Sequence, residues 1–202
     1  MRLLRGLLAV GYPFLIFGGL RVASPRAVAL GLAVLFGMRA ATRWHRPAAA
    51  DLRRLAAPAL LVGGVLLATG LADDARLLLI VPVLVNAALL IAFARTLSGG
   101  PTMVETFARL QVPDLPDDEV RYCRSVTRVW CAFFVANGAV CLWLALAGTL
   151  WQWTLYTGFW SYVAIGSLYA VEFVIRARRF GRYEGTLLEP LFRRLFPHGP
   201  AA

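Results

Sequence analysis

Apolar runs bounded by arginine constrain this chain more than any other feature of its sequence. Residues 77–94 form one such run and residues 129–148 another. As helices rising 1.5 Å per residue they would be about 27 and 30 Å long, close to the roughly 30 Å of a bilayer's hydrocarbon core. Lipid offers no partner for backbone N–H and C=O groups, so such runs predict helices, which satisfy those groups internally. Further runs at 6–20, 27–44, 55–72 and 155–175 extend the pattern to about six spans. The predicted fold class is an all-α, polytopic transmembrane helix bundle covering residues 1–180. Composition agrees: 59% hydrophobic, 16% charged and a mean hydropathy of +0.67 leave too little polar surface for a soluble domain of 202 residues.

Arg2 and Arg5 before an apolar run resemble a signal peptide, but Arg21 interrupts the approach to Val22-Ala23-Ser24. The run therefore reads as a first transmembrane helix that stays attached, loosened by Pro13 and Gly18-Gly19. Ser24-Pro25 is a helix start, a cap followed by proline at the first helical position. The second apolar core, 27–38, has only 12 residues, so it crosses only if its flanking arginines snorkel and the helix extends to Trp44. Gly63, Gly64, Ala68 and Gly70 favour close packing of the third span, and Asp73-Asp74-Ala75-Arg76 is a tight turn. Trp151, Trp153 and Tyr156 read as an interfacial aromatic belt on a short turn between the fifth and sixth spans. Residues 181–202 form a basic amphiphilic tail suited to a membrane surface.

The net charge is +10, and all 21 basic residues are arginine. With six spans and both termini inside, 18 of the 21 fall on one side, in the N-terminus and residues 39–54, 95–128 and 176–202. The positive-inside rule then predicts N-in, C-in, with residues 95–128 as a cytoplasmic helical insert between spans four and five. Cys123, Cys131 and Cys141 have no metal-ligand spacing and read as structural thiols. His45 and His198 lie in basic, solvated segments. No metal, cofactor or nucleic-acid partner is expected.

Within the insert, Pro101 suits the first position of a short helix reaching about Leu110. Glu105 and Arg109 stand on it at i,i+4 in the favourable order. Met103, Phe107 and Leu110 form an apolar stripe that lies along the membrane interface or caps the bundle. Asp117, Asp118 and Glu119 begin a second helix, where negative charge complements the free amides of the first turn; it is expected to run unbroken into the fifth span. Arg121, Arg124 and Arg128 share one face of it. Such a row fits an anionic lipid head group, a lipid-linked phosphate or an acidic protein, and equally fits plain topological charge.

Three polar residues interrupt the spans. Asn86 lies nine residues before Arg95 and Asn137 nine after Arg128, so both amides are about 13 Å deep on consecutive antiparallel helices. Either they bond each other or they line a pocket for a substrate carbonyl or hydroxyl. Glu172, one turn before Arg176, is an ionisable group inside a span and hence a functional candidate; pairing with Arg176, Arg95 or Arg128 would satisfy it without a catalytic role.

These residues carry a family resemblance. Pro82-Val83-Leu84-Val85-Asn86, Phe93-Ala94-Arg95-Thr96-Leu97 with Gly100-Pro101, and Glu105-Thr106-Phe107-Ala108-Arg109 form its first part. Val120-Arg121-Tyr122-Cys123-Arg124, Val129-Trp130-Cys131, Asn137-Gly138 and Tyr169-Ala170-Val171-Glu172 with Arg176 complete it. Over residues 77–180 the pattern resembles a group of small bacterial inner-membrane proteins encoded in clusters for aryl-polyene or fatty-acid-like lipid biosynthesis. The resemblance implies ketosynthases, acyl carrier proteins and acyltransferases as pathway partners, beside membrane lipids; it supplies no catalytic residue. Two functions follow. One is an accessory protein that docks an acidic acyl carrier protein, or an anionic lipid, at the arginine face. The other is an acyl- or phospholipid-modifying enzyme with Glu172 as base, Asn86 and Asn137 positioning substrate, and arginines holding a phosphate. A small lipid transporter is disfavoured by the lack of an internal repeat.

Overall fold

The computed structural model describes residues 2–41, 62–110 and 112–180. The end of the second apolar run (42–44), the rest of the basic connector with His45, the start of the third run (55–61) and the tail with His198 lie outside the described residues. Among the described residues all regular structure is helical: α1 (Arg2–Val22), α2 (Pro25–Ala41), α3 (Val62–Ala72), α4 (Arg76–Leu79), α5 (Val81–Leu97), α6 (Met103–Arg109), α7 (Asp117–Ala147), α8 (Leu150–Leu155), a π-helical turn (Tyr156–Trp160) and α9 (Ser161–Phe180). Among the described residues three stretches are long and apolar enough to cross a membrane: Arg76–Leu97, Asp117–Ala147 and Leu150–Phe180. α2, over Pro25–Leu35, and α3 are shorter apolar helices. Large apolar side chains such as Ile91, Leu146 and Val171 are exposed on the long helices, the outward face that a membrane protein turns to hydrocarbon.

The chain divides into two compact units, Met1–Ala88 with Phe134–Trp160, and Leu89–Phe133 with Ser161–Ala202. The first is built round Ile16, Leu32, Leu78, Leu79, Leu144, Ala145 and Trp153. At its centre the helix starting at Arg76 breaks at Ile80, and Pro82 is the cause. Proline has no N–H to give the Leu78 carbonyl four residues back, and its ring crowds that carbonyl. The Val83 N–H turns to Ile80 instead (3.0 Å), so Leu79 is bypassed as well. Two side chains replace the lost donors: the Tyr12 hydroxyl donates to Leu78 O and the Trp153 indole N–H to Leu79 O, each at 3.0 Å. At an edge of this unit, Asp73 (φ 53°) closes α3 in the left-handed region and accepts the Arg26 N–H at 2.8 Å.

The second unit is centred on Val104, Ala108, Cys123 and Val126, with Phe93, Leu115, Tyr122 and Trp130 packed around them. α7 runs unbroken for 31 residues with three acids in its first turn, as its sequence led one to expect. Two expectations need correction. Pro101 is not the first residue of α6: Thr102 is its N-cap, and Thr102 and Glu105 form a reciprocal capping box. The aromatic belt does not hold as a set either. Only residues 148–149 separate α7 from α8, with Thr149 and Gln152 forming a second capping box. Trp151 is exposed, whereas Trp153 is fully buried at 0% exposure, because its indole is needed at the Pro82 break.

Candidate functional site

In the second unit the helical repeat of α7 sorts its side chains. Glu119, Cys123, Val126 and Thr127 are buried, which turns Arg121, Arg124 and Arg128 to the exposed side. Arg124 reaches across to the end of α5, where its Nη2 donates to Leu97 O at 2.9 Å, a cation at the negative end of a helix. Arg95, Arg121 and Arg128 are exposed and form no ion pair with another described residue. Glu119, two residues before Arg121, is buried, whereas Asp117 and Asp118 are exposed.

The other charged candidates are engaged. The Glu105 carboxylate is buried and accepts from Thr102 N–H (3.2 Å) through Oε2 and from Arg109 through Oε1 (2.8 and 2.9 Å). Arg109 also donates to Pro113 O at 2.9 Å, tying α6 to the loop behind it. This pair holds the insert together and leaves no free charge for an anion. Glu172 is paired with Arg176, the nearest of the arginines weighed for it: Nη2 and Nε both reach Oε1, at 2.7 and 2.8 Å. The guanidinium lies 5.7 Å from the Tyr122 ring centroid, a cation–π distance, and its Nη2 is 3.9 Å from the Cys123 thiol. Glu172 Oε2 has no partner among the described residues.

In the first unit the two amides meet. Asn137 Nδ2 donates to Asn86 Oδ1 at 3.0 Å, Asn86 Nδ2 donates back to Pro82 O at 2.8 Å, and Tyr156 O–H donates to Asn137 Oδ1 at 2.9 Å. The mutual bond was legible from matched depth; Tyr156 was not, because it reads as a belt residue. Gly138 provides the clearance, since a Cβ there would lie 3.3 Å from Asn86 Cβ. An amide pair already bonded to a carbonyl and a phenol is a helix clamp more than an open pocket. The threonine cap of α6 was missed too, although Thr102-x-x-Glu105 is its sequence signature.

The chain was compared with protein-family models, curated proteins and solved structures. None matches. The chemistry must therefore be read from the residues themselves. Among the described residues no group of three or more His, Cys, Asp or Glu is placed to hold a metal ion. Cys123 and Cys141 are buried, Cys131 is half-buried, and the three form no disulfide. Among the described residues, Arg95, Arg121 and Arg128 form no ion pair, and Asp117 and Asp118 are exposed.

Proposed function

We propose that this chain is a multi-pass protein of the bacterial inner membrane that docks an acidic partner on its cytoplasmic side. The proposal takes six crossings with N-in, C-in orientation, and residues 95–128 as a cytoplasmic insert. The partner is an acyl carrier protein of a lipid or aryl-polyene-type pathway, handing its hydrophobic chain to the membrane. One observation carries the reading: Arg95, Arg121 and Arg128 stand exposed with no ion pair to another described residue, while Glu105 and Glu172 are each spent on another arginine. A surface of uncompensated guanidinium groups attracts carboxylate-rich or phosphorylated partners and holds them in bidentate pairs.

The test is binding of a purified acidic acyl carrier protein to the full chain in nanodiscs. Arg121→Glu with Arg128→Glu should abolish binding without changing insertion, and rising salt should weaken the native complex. Binding that survives both the double reversal and high salt would overturn the docking reading. A second reading, an enzyme acting on an acyl or phospholipid substrate, is favoured only by Glu172 Oε2, which has no partner among the described residues. Glu172→Gln removes that carboxylate's charge; loss of a lipid product with carrier binding intact would favour the enzyme.

A further inference from the structure

We infer that α6 is an interfacial helix whose outer face, Phe107 and Leu110, is sunk into the head-group and acyl-chain boundary of the bilayer. The inference concerns a different surface from the arginine row and rests on the membrane reading alone. The apolar residues of α6 are split between two faces. Val104 and Ala108 are buried together with Glu105, in the cluster that includes Phe93 of α5 and Val126 and Trp130 of α7. Phe107 and Leu110 face away from that cluster and are 58% and 79% exposed. Of the stripe read from the sequence, Met103 is half-buried while Phe107 and Leu110 are exposed.

Depth follows from three attachments. The Met103 N–H donates to the Thr96 hydroxyl at 3.0 Å, and that hydroxyl donates to Phe93 O at 2.7 Å. Arg124 closes the same end of α5 at Leu97 O. α6 is therefore fixed beside the last turn of a helix of membrane-crossing length, against residues of that helix and of α7. An outward phenyl and isobutyl group at that level meets the boundary between lipid head groups and chains, where amphipathic helices bury their apolar face. The occupant is lipid and not a second copy of the chain. Arg95 and Arg124 are exposed at the end of α5 to which α6 is bonded, so two copies joined there would bring like charges together, whereas anionic phospholipid complements them.

The test uses the full chain with the photoreactive residue benzoylphenylalanine at one position at a time, Phe107, Leu110, Ile91 or Asp114. Each protein is reconstituted in vesicles of phosphatidylethanolamine and phosphatidylglycerol, illuminated and analysed by peptide mass spectrometry. Phospholipid adducts are expected at Phe107, Leu110 and Ile91, with none at the exposed Asp114. Adducts at Ile91 but not at Phe107 or Leu110 would overturn the interfacial helix and leave the membrane reading standing. Lipid adducts at none of the four would overturn both. Crosslinks from Phe107 to a second copy, or to another part of the same chain, would replace lipid as the occupant and refute the inference.

Discussion

The break at Pro82 supplies the sharpest test of the fold. If the Tyr12 hydroxyl stands in for the amide that Pro82 lacks, its worth depends on which residue occupies position 82. Tyr12→Phe keeps the ring and removes only the donor at 3.0 Å from Leu78 O. The Leu78 carbonyl also accepts a backbone N–H at the end of α4, so it is not left bare, and side-chain hydrogen bonds in membrane proteins average about 0.6 kcal/mol. We therefore expect a loss of up to about 1 kcal/mol, at most roughly a fivefold change in the unfolding equilibrium. In a Pro82→Ala background, residue 82 has an N–H of its own for Leu78 O, and Tyr12→Phe should then cost about zero. The cycle isolates a coupling of up to about 1 kcal/mol, measurable by reversible SDS unfolding in mixed micelles. An equal cost of Tyr12→Phe in both backgrounds would refute the substitution of one donor for the other.

Other perturbations follow from the same geometry. Asn86→Leu and Asn137→Leu should each destabilise by about 1 kcal/mol in that assay. The double variant should lose less than the two combined, because no amide is left without its partner; strict additivity would mean the bond at 3.0 Å contributes nothing. Gly138→Val places branched carbon against Asn86, where even a Cβ would stand at 3.3 Å. It should cost about 1–3 kcal/mol by overpacking, with Gly138→Ala much milder, and similar unfolding curves for the two would contradict the close approach. Thr102→Ala removes the N-cap of α6 and about 1 kcal/mol with it. Faster amide exchange at Glu105, with residues 134–147 unchanged, is the expected signature.

The sequence showed the helices far better than the bonds between them. Apolar runs bounded by arginine mark the three long stretches because length and hydrophobicity alone decide whether a helix can cross lipid. Asn86 and Asn137 were legible as a pair because both sit nine residues from an arginine that borders an apolar run, Arg95 or Arg128. Tyr12 and Trp153 were not legible. Their roles come from the carbonyls that Pro82 strands, and which distant donor reaches those carbonyls is a matter of packing. Sequence spacing makes Trp153 look like its neighbour Trp151, yet one is buried and the other exposed. The stripe on α6 was seen and its two possible faces were both kept, since periodicity states which residues align but not which side meets protein.

The Pro82 break also bears on how the protein assembles. Residue 12 is made before the kink and residue 153 long after it, so the two stranded carbonyls are not served at the same stage of synthesis. Leu78 bonds a side chain encoded 66 positions upstream, while Leu79 bonds one encoded 74 positions downstream. Until that indole arrives the N-terminal part of the chain is incomplete, and a protein truncated before Trp153 would keep one backbone oxygen in need of water.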